Sequence, residues 1–159
     1  MITGIGYDSH KFSSGSRLRL GGIEIPYKEG LASHSDGDVV LHAIADAVLS
    51  ASFMGGIGEM FSPSMLEYKD VKSSFFIREI LKRLKERQAN LSFVQVIIIA
   101  ERPKLKDFIV PMMRSLSTIL EISERFVNIQ VKSNEGMGFI GRGEGIVCIA
   151  QAGVEYVTP

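Results

Sequence analysis

The sequence holds one cysteine, no tryptophan and only three histidines in 159 residues. A single cysteine excludes an internal disulfide and any cysteine-built metal knot. Within the apolar run IVCIA, Cys148 reads as a small core hydrophobe. Net charge is also missing: 18 lysines and arginines balance 18 aspartates and glutamates, so no overall field advertises nucleic acid or a membrane surface. No apolar run approaches the roughly 20 residues that cross a bilayer. Residues 1–10 lack the basic start and long apolar stretch of a secretory signal. What remains is a cytoplasmic enzyme or binding protein, long enough for one domain, 1–159, with a real core.

The scarce histidines are concentrated. His10, His34 and His42 all fall in two short segments, Asp8-Ser9-His10 and SHSDGDVVLHAIAD (33–46), where Asp36, Asp38 and Asp46 also lie. Residues 2–10 carry small and β-favouring types and predict a strand that projects Asp8 and His10 from one face and Ser9 from the other. VVLHAIADAVLSASF suits a buried helix from about Asp38 to Phe53, capped by Asp36 or Asp38. His42 then sits in its early turns, with Asp46 one turn further along the same side. A strand end offering Asp8 and His10, meeting a helix start offering His42, supplies three oxygen and nitrogen ligands and leaves a coordination position open. That is the pattern of a catalytic zinc; two histidines and a carboxylate also suit Mn²⁺ or Fe²⁺. Asp46 is placed to bond His42 and set its tautomer. Taken singly, each residue has an ordinary use as surface histidine, core histidine or helix cap. The set together favours a metal.

Elsewhere, RLRLGGIEIP predicts a hairpin turning at Gly21-Gly22, and YKEGLASHSDG a polar loop delivering His34 and Ser35. Residues 55–72 read as an irregular stretch over the site, either a flap or a plain connection. Ser73 or Ser74 is placed to cap a helix whose Phe76, Ile77, Ile80, Leu81 and Leu84 make one apolar stripe, its basic opposite face being solvated. LSFVQVIIIA (91–100) predicts a strand covered on both sides. A second amphipathic helix follows, with Pro111 either in its first turn or kinking it; FVNIQVK and GIVCIAQAGVEYV predict the last two strands. This order describes an α/β chain, an α+β sandwich with a mixed β-sheet and helices on one face. Its bare sheet side is left for sister subunits to cover. The Gly-rich turn 135–145 opens into a strand, not a helix, which argues against a dinucleotide loop. Lys132, Ser133 and Glu135 beside it offer a cation, a hydroxyl and a carboxylate, a set equally suited to phosphate with a hard divalent ion and to a plain surface turn.

GYDSHKF, GGIEIPYKEGLASHSDGDVVLHAIADA, IIIAERPKL and NEGMGFIGRGEGI together resemble the 2-C-methyl-D-erythritol 2,4-cyclodiphosphate synthase family, over essentially the full length. The resemblance implies a homotrimer with active sites between subunits. Its substrate is 4-diphosphocytidyl-2-C-methyl-D-erythritol 2-phosphate, cyclised with release of CMP by a phosphorus-oxygen lyase of the non-mevalonate isoprenoid route. It implies Zn²⁺ on Asp8, His10 and His42, and Mg²⁺ or Mn²⁺ at Glu135 with the substrate diphosphate. His34 and Ser133 become catalytic, holding phosphoryl oxygens. Substrate contacts extend over Asp8, Ser9, His10, Ser35, Gly56, Ile57, Gly58 and Phe61 near the zinc, and over Lys132, Ser133, Asn134 and Glu135. A cytidine pocket is implied at Ala100, Pro103, Lys104 and Leu105. Phe139 and Arg142 are implied beside a central trimer cavity proposed to take isoprenoid diphosphates. The chain departs from the family pattern at Gly56, where an acidic residue is usual, at Ser62-Pro63, where Pro-Asp is usual, and at Ser133, where Thr is usual. The first two remove carboxylates expected on the erythritol portion and leave backbone contacts at Gly56, Ile57 and Gly58. Two readings from other classes compete: a zinc phosphodiesterase using the same ligands with a metal-bound water, and a non-enzymatic trimeric module binding nucleotides or isoprenoid diphosphates.

Overall fold

The computed structural model describes residues 1–62, 68 and 71–157. Alternating runs form the main sheet, in the order β4 (Gly30–Leu31), β1 (Ile2–Ser13), β7 (Gly145–Tyr156), β5 (Ala89–Ile99) and β6 (Val127–Lys132). Only β5 and β6 run parallel; the other pairings are antiparallel. A separate hairpin joins β2 (Leu18–Leu20) to β3 (Ile23–Ile25), turning at Gly21 and Gly22, both at positive φ as a two-residue turn requires.

Three helices cover one face. The first, α1 (Val39–Ala51), lies on β1 and β7. It approaches closely because β1 presents glycine there: a Cβ at Gly4 would overlap the Ala47 carbonyl, and one at Gly6 the Ala43 carbonyl. After a single helical turn, α2 (Ile57–Met60), comes α3 (Ser73–Glu86), whose Phe76, Ile77, Ile80, Leu81 and Leu84 are all buried. Next, α4 (Ile109–Leu120) packs against β6 with Met112, Leu116 and Leu120 inward and Pro111 in its first turn. Among the described residues no helix is long and apolar enough to cross a membrane.

Asp38 ties the start of α1 to the hairpin. Its Oδ1 accepts from Val40 (3.2 Å), Leu41 (3.1 Å) and Gly21 (2.9 Å), and its Oδ2 from Gly22 (2.6 Å). Burial pushes this carboxyl up, against the pull of the Gly22, Leu41 and Gly21 amides. Asp38, not Asp36, is therefore the cap.

Four expectations are corrected. The cap of α3 is Lys72, without a side-chain bond; Ser73 is the first helical residue and points its hydroxyl elsewhere. In the second half of β5 Val94, Val96 and Ile98 are buried, whereas Ile97 and Ile99 stay partly exposed and Gln95 exposed, since no helix among the described residues crosses to that side. Before β7 the Gly-rich turn contains one helical turn, α5 (Gly138–Gly141). The stretch after α1 is not wholly irregular, since it holds α2; its Pro63, and part of the segment read as a flap or a plain connection, lies outside the described residues.

Candidate active site

Period-2 alternation in β1 puts Asp8 and His10 on the face that carries α1, and His42 occupies the first turn and a half of that helix. Their side chains meet. His10 Nε2 stands 2.8 Å from Asp8 Oδ2 and 3.2 Å from His42 Nδ1, which is itself 3.1 Å from the same carboxylate oxygen. Tetrahedral coordination at about 2.0–2.1 Å places ligand atoms about 3.3 Å apart, so this spacing fits a zinc-sized ion. The proton inventory fits too. His10 Nδ1 donates to the Ala32 carbonyl at 2.6 Å, so the neutral ring turns the Nε2 lone pair inward. Converging acceptors with no proton between them repel, and a cation relieves that repulsion.

The electrostatics agree. Burial works against the Asp8 carboxylate, but the adjacent His10 and His42 outweigh it and hold the group well below its ordinary range. Burial likewise opposes a charged His10, and Asp8 with the Ala32 carbonyl outweighs it, raising His10 above its ordinary value.

The cluster opens into a pocket of about 530 Å³. Ser33, His34, Ser35, Ile57, Gly58 and Phe61 border it, with Phe76 and Tyr68. His42 Nε2 faces away from the ligand cluster, 3.0 Å from Ser35 Oγ and 2.9 Å from Ser73 Oγ. Asp46 does not set the His42 ring. Its Oδ1 instead accepts the Ile57 amide at 2.7 Å, fastening α2 to α1, and burial raises its carboxyl against that bond. Helical spacing brought Asp46 to the correct side, and it could not show that an amide eleven residues onward comes nearer.

A family model for the YgbB family matches residues 1–155. The chain belongs to the YgbB family. A 2-C-methyl-D-erythritol 2,4-cyclodiphosphate synthase of Francisella philomiragia is 46% identical over 144 residues, covering 90% of this chain and 91% of the relative. A solved 2C-methyl-D-erythritol-2,4-cyclodiphosphate synthase in a CDP-bound form is 30% identical and superposes with a TM-score of 0.88 over 96% of this chain and 99% of that one. The bifunctional IspDF of Campylobacter jejuni is 33% identical, with a TM-score of 0.94 over 98% of this chain and 42% of that one.

In this YgbB chain the remaining expected residues gather in a second place. Lys132 ends β6, with Ser133, Asn134 and Glu135 after it, and Ala100, Pro103, Lys104 and Leu105 follow its parallel neighbour β5; the Ala100 amide donates to the Lys132 carbonyl at 2.9 Å. Ser133 Oγ donates to Glu135 Oε1 at 2.8 Å. This group lies at the same end of the sheet as His10, since His10 pairs with Ile146 and Ile99 with Val147, but across β7 and outside the pocket. Ser9 is exposed on the opposite face of β1 from the ligands. Phe139 is exposed at 47%, and Arg142 pairs with Glu144 at 2.6 Å. Gly56 precedes α2, where a Cβ would stand 3.5 Å from Asp46 Oδ1.

Two contributors escaped the sequence reading. Glu101 Oε1 accepts the amides of Asn134 (2.8 Å) and Gly136 (3.2 Å), bracing the turn in which Glu135 takes positive φ. Ser73 reaches His42. The only signal for either was a polar residue at the end of an element, which reads as a cap or a turn.

Proposed function

We propose that the chain converts 4-diphosphocytidyl-2-C-methyl-D-erythritol 2-phosphate into the 2,4-cyclodiphosphate and CMP, as a phosphorus-oxygen lyase of isoprenoid precursor synthesis. The observation that carries this is the convergence of Asp8 Oδ2, His10 Nε2 and His42 Nδ1 at the floor of a pocket walled by His34 and Ser35. The name of the relatives supports the 2,4-cyclodiphosphate as product, and the substrate is the one the sequence resemblance implies.

The reaction forms a bond from a 2-phosphate oxygen to the β-phosphorus and breaks the bond from that phosphorus to the oxygen of CMP. The nucleophile is already anionic, so no strong base is required and catalysis reduces to placement and charge neutralisation. Asp8, His10 and His42 would hold Zn²⁺, which supplies Lewis acidity to a phosphoryl oxygen. Glu135 would hold Mg²⁺ or Mn²⁺ together with the diphosphate; one carboxylate completed by phosphate oxygens and water suits such ions. His34 and Ser35 donate hydrogen bonds to phosphoryl oxygens on the pocket side, and Ser133 and Lys132 do so from the second group. Ala100, Pro103, Lys104 and Leu105 present backbone to the cytosine edge. Because the two groups are separated by β7 within one chain, the complete site is built between copies. The bare sheet face supplies the surface for a homotrimer, with Phe139 and Arg142 toward its axis.

Purified protein supplied with zinc, Mg²⁺ and substrate should release CMP and cyclic product in equal amounts. Linear hydrolysis product would instead indicate the phosphodiesterase, and CDP binding without turnover the binding module.

A further inference from the structure

We propose that Asp36 and Ser73 are positioning residues that fix the tautomer of His42, holding a proton on Nε2 so that the Nδ1 lone pair is presented to the Asp8–His10 cluster. The inference rests on the metal reading above and extends it to two residues outside the ligand set.

The argument is one of protons. As a carboxylate, Asp36 can only accept, and its Oδ1 takes both the Ser73 amide at 3.2 Å and the Ser73 hydroxyl in a short bond. A hydroxyl has one hydrogen. With that hydrogen committed to Asp36, Ser73 Oγ faces His42 Nε2 at 2.9 Å with lone pairs only. The contact is satisfied only if Nε2 carries the hydrogen, so the neutral ring has none on Nδ1, even though Asp8 Oδ2 stands 3.1 Å from Nδ1 as a rival acceptor. Ser35 Oγ, at 3.0 Å from the same nitrogen, does not impose this. It neighbours the hydroxyls of Ser33 and Ser73 and the Gly37 amide, and none of these is a carboxylate that would commit its proton. It can accept from Nε2–H and turn its own hydrogen into the pocket.

The arrangement is also built into the fold. Ser73 is 1% exposed and stands first in α3, where the amides of the opening turn have no partner within the helix. Asp36 satisfies one of them from the loop before α1. The same carboxylate therefore docks α3 and polarises the hydroxyl. Because the amide bond survives loss of the hydroxyl, Ser73→Ala is expected to fold.

Imidazole nitrogen NMR on the metal-free protein, at a pH where His42 is neutral, reads the tautomer directly. Wild type should show the Nε2–H form predominating, and Ser73→Ala a mixture. Zinc affinity measured by chelator competition should fall about 10–100-fold in Ser73→Ala, the range for loss of a group that orients a ligand, and recover in Ser73→Thr. A wild-type Nδ1–H form, or Ser73→Ala with unchanged tautomer and affinity, overturns the proposal. Should wild type bind no zinc, the metal reading fails, while the tautomer spectrum still decides whether Asp36 and Ser73 act on His42.

Discussion

At the scale of single residues, the demands on Asp38 and His10 differ in kind. Asp38 serves structure: one buried carboxylate closes four backbone donors that otherwise have no water. In Asp38→Ala the helix loses its cap and the hairpin amides lose their acceptor. The expected cost is about 3 kcal/mol from those two losses together, a fall in melting temperature of roughly 6–12 °C. Thermal unfolding of the metal-free protein measures it, and a change under about 2 °C would contradict the account. His10 serves the site, and its raised proton affinity has a sign. In the metal-free protein its contribution to stability is fully present below its ordinary 6.5 and is lost as pH rises through the raised folded value. The depressed Asp8 contributes above its ordinary 3.8 and loses that contribution as pH falls toward its folded value. Zinc must displace the His10 proton. The rise in melting temperature on adding zinc should therefore grow from about pH 6 to about pH 8, and a shrinking increment would count against His10 as a ligand. The ligands were legible because three histidines are few and strand alternation is simple. Asp46 and Ser73 were not, because a side chain's partner across the fold leaves no mark in local spacing.

The elements explain why the ligands stay together. His42 belongs to α1 and Asp8 and His10 to β1, so the distance between strand and helix sets the distance between ligands. Gly4 and Gly6 permit that approach. In Gly6→Ala the new methyl meets backbone of α1, which cannot turn away as a side chain would. The helix must lift, at a cost of roughly 1–3 kcal/mol for overpacking, and zinc affinity should drop with it. Chelator competition alongside denaturant unfolding tests this; unchanged affinity with lowered stability would show that the ligands reach across independently of helix placement. The three long helices, the hairpin and the long strands were readable from apolar period and turn glycines. The two-residue β4 and the single turns α2 and α5 were not, since so few residues carry no period. The exposed side of β5 was misjudged for another reason: an unbroken apolar run suggests cover on both faces and says nothing of what provides it.

At the scale of the whole molecule, that uncovered side carries the argument about assembly. Tyr7 pairs with Ile149 and Ile149 with Ile97, so an apolar row crosses β1, β7 and β5 on the face without helices. Tyr7 is 57% exposed and Ile5 beside it 68%. A row of this kind invites association with other copies. Placing a charge beside it, as in Ile5→Glu, leaves Asp8, His10 and His42 untouched because all three belong to one chain and meet on the other face of β1, where α1 lies. The variant should therefore sediment as a monomer and still bind one zinc per chain. It should nevertheless lose most CMP release if, as proposed, the group after β5 and β6, separated from the Asp8–His10–His42 pocket by β7, works with another copy's pocket. Sedimentation, zinc content and turnover measured on one preparation separate the cases. A monomer that retains full turnover would mean that each chain bridges the two groups by itself, and the intersubunit site would have to be given up.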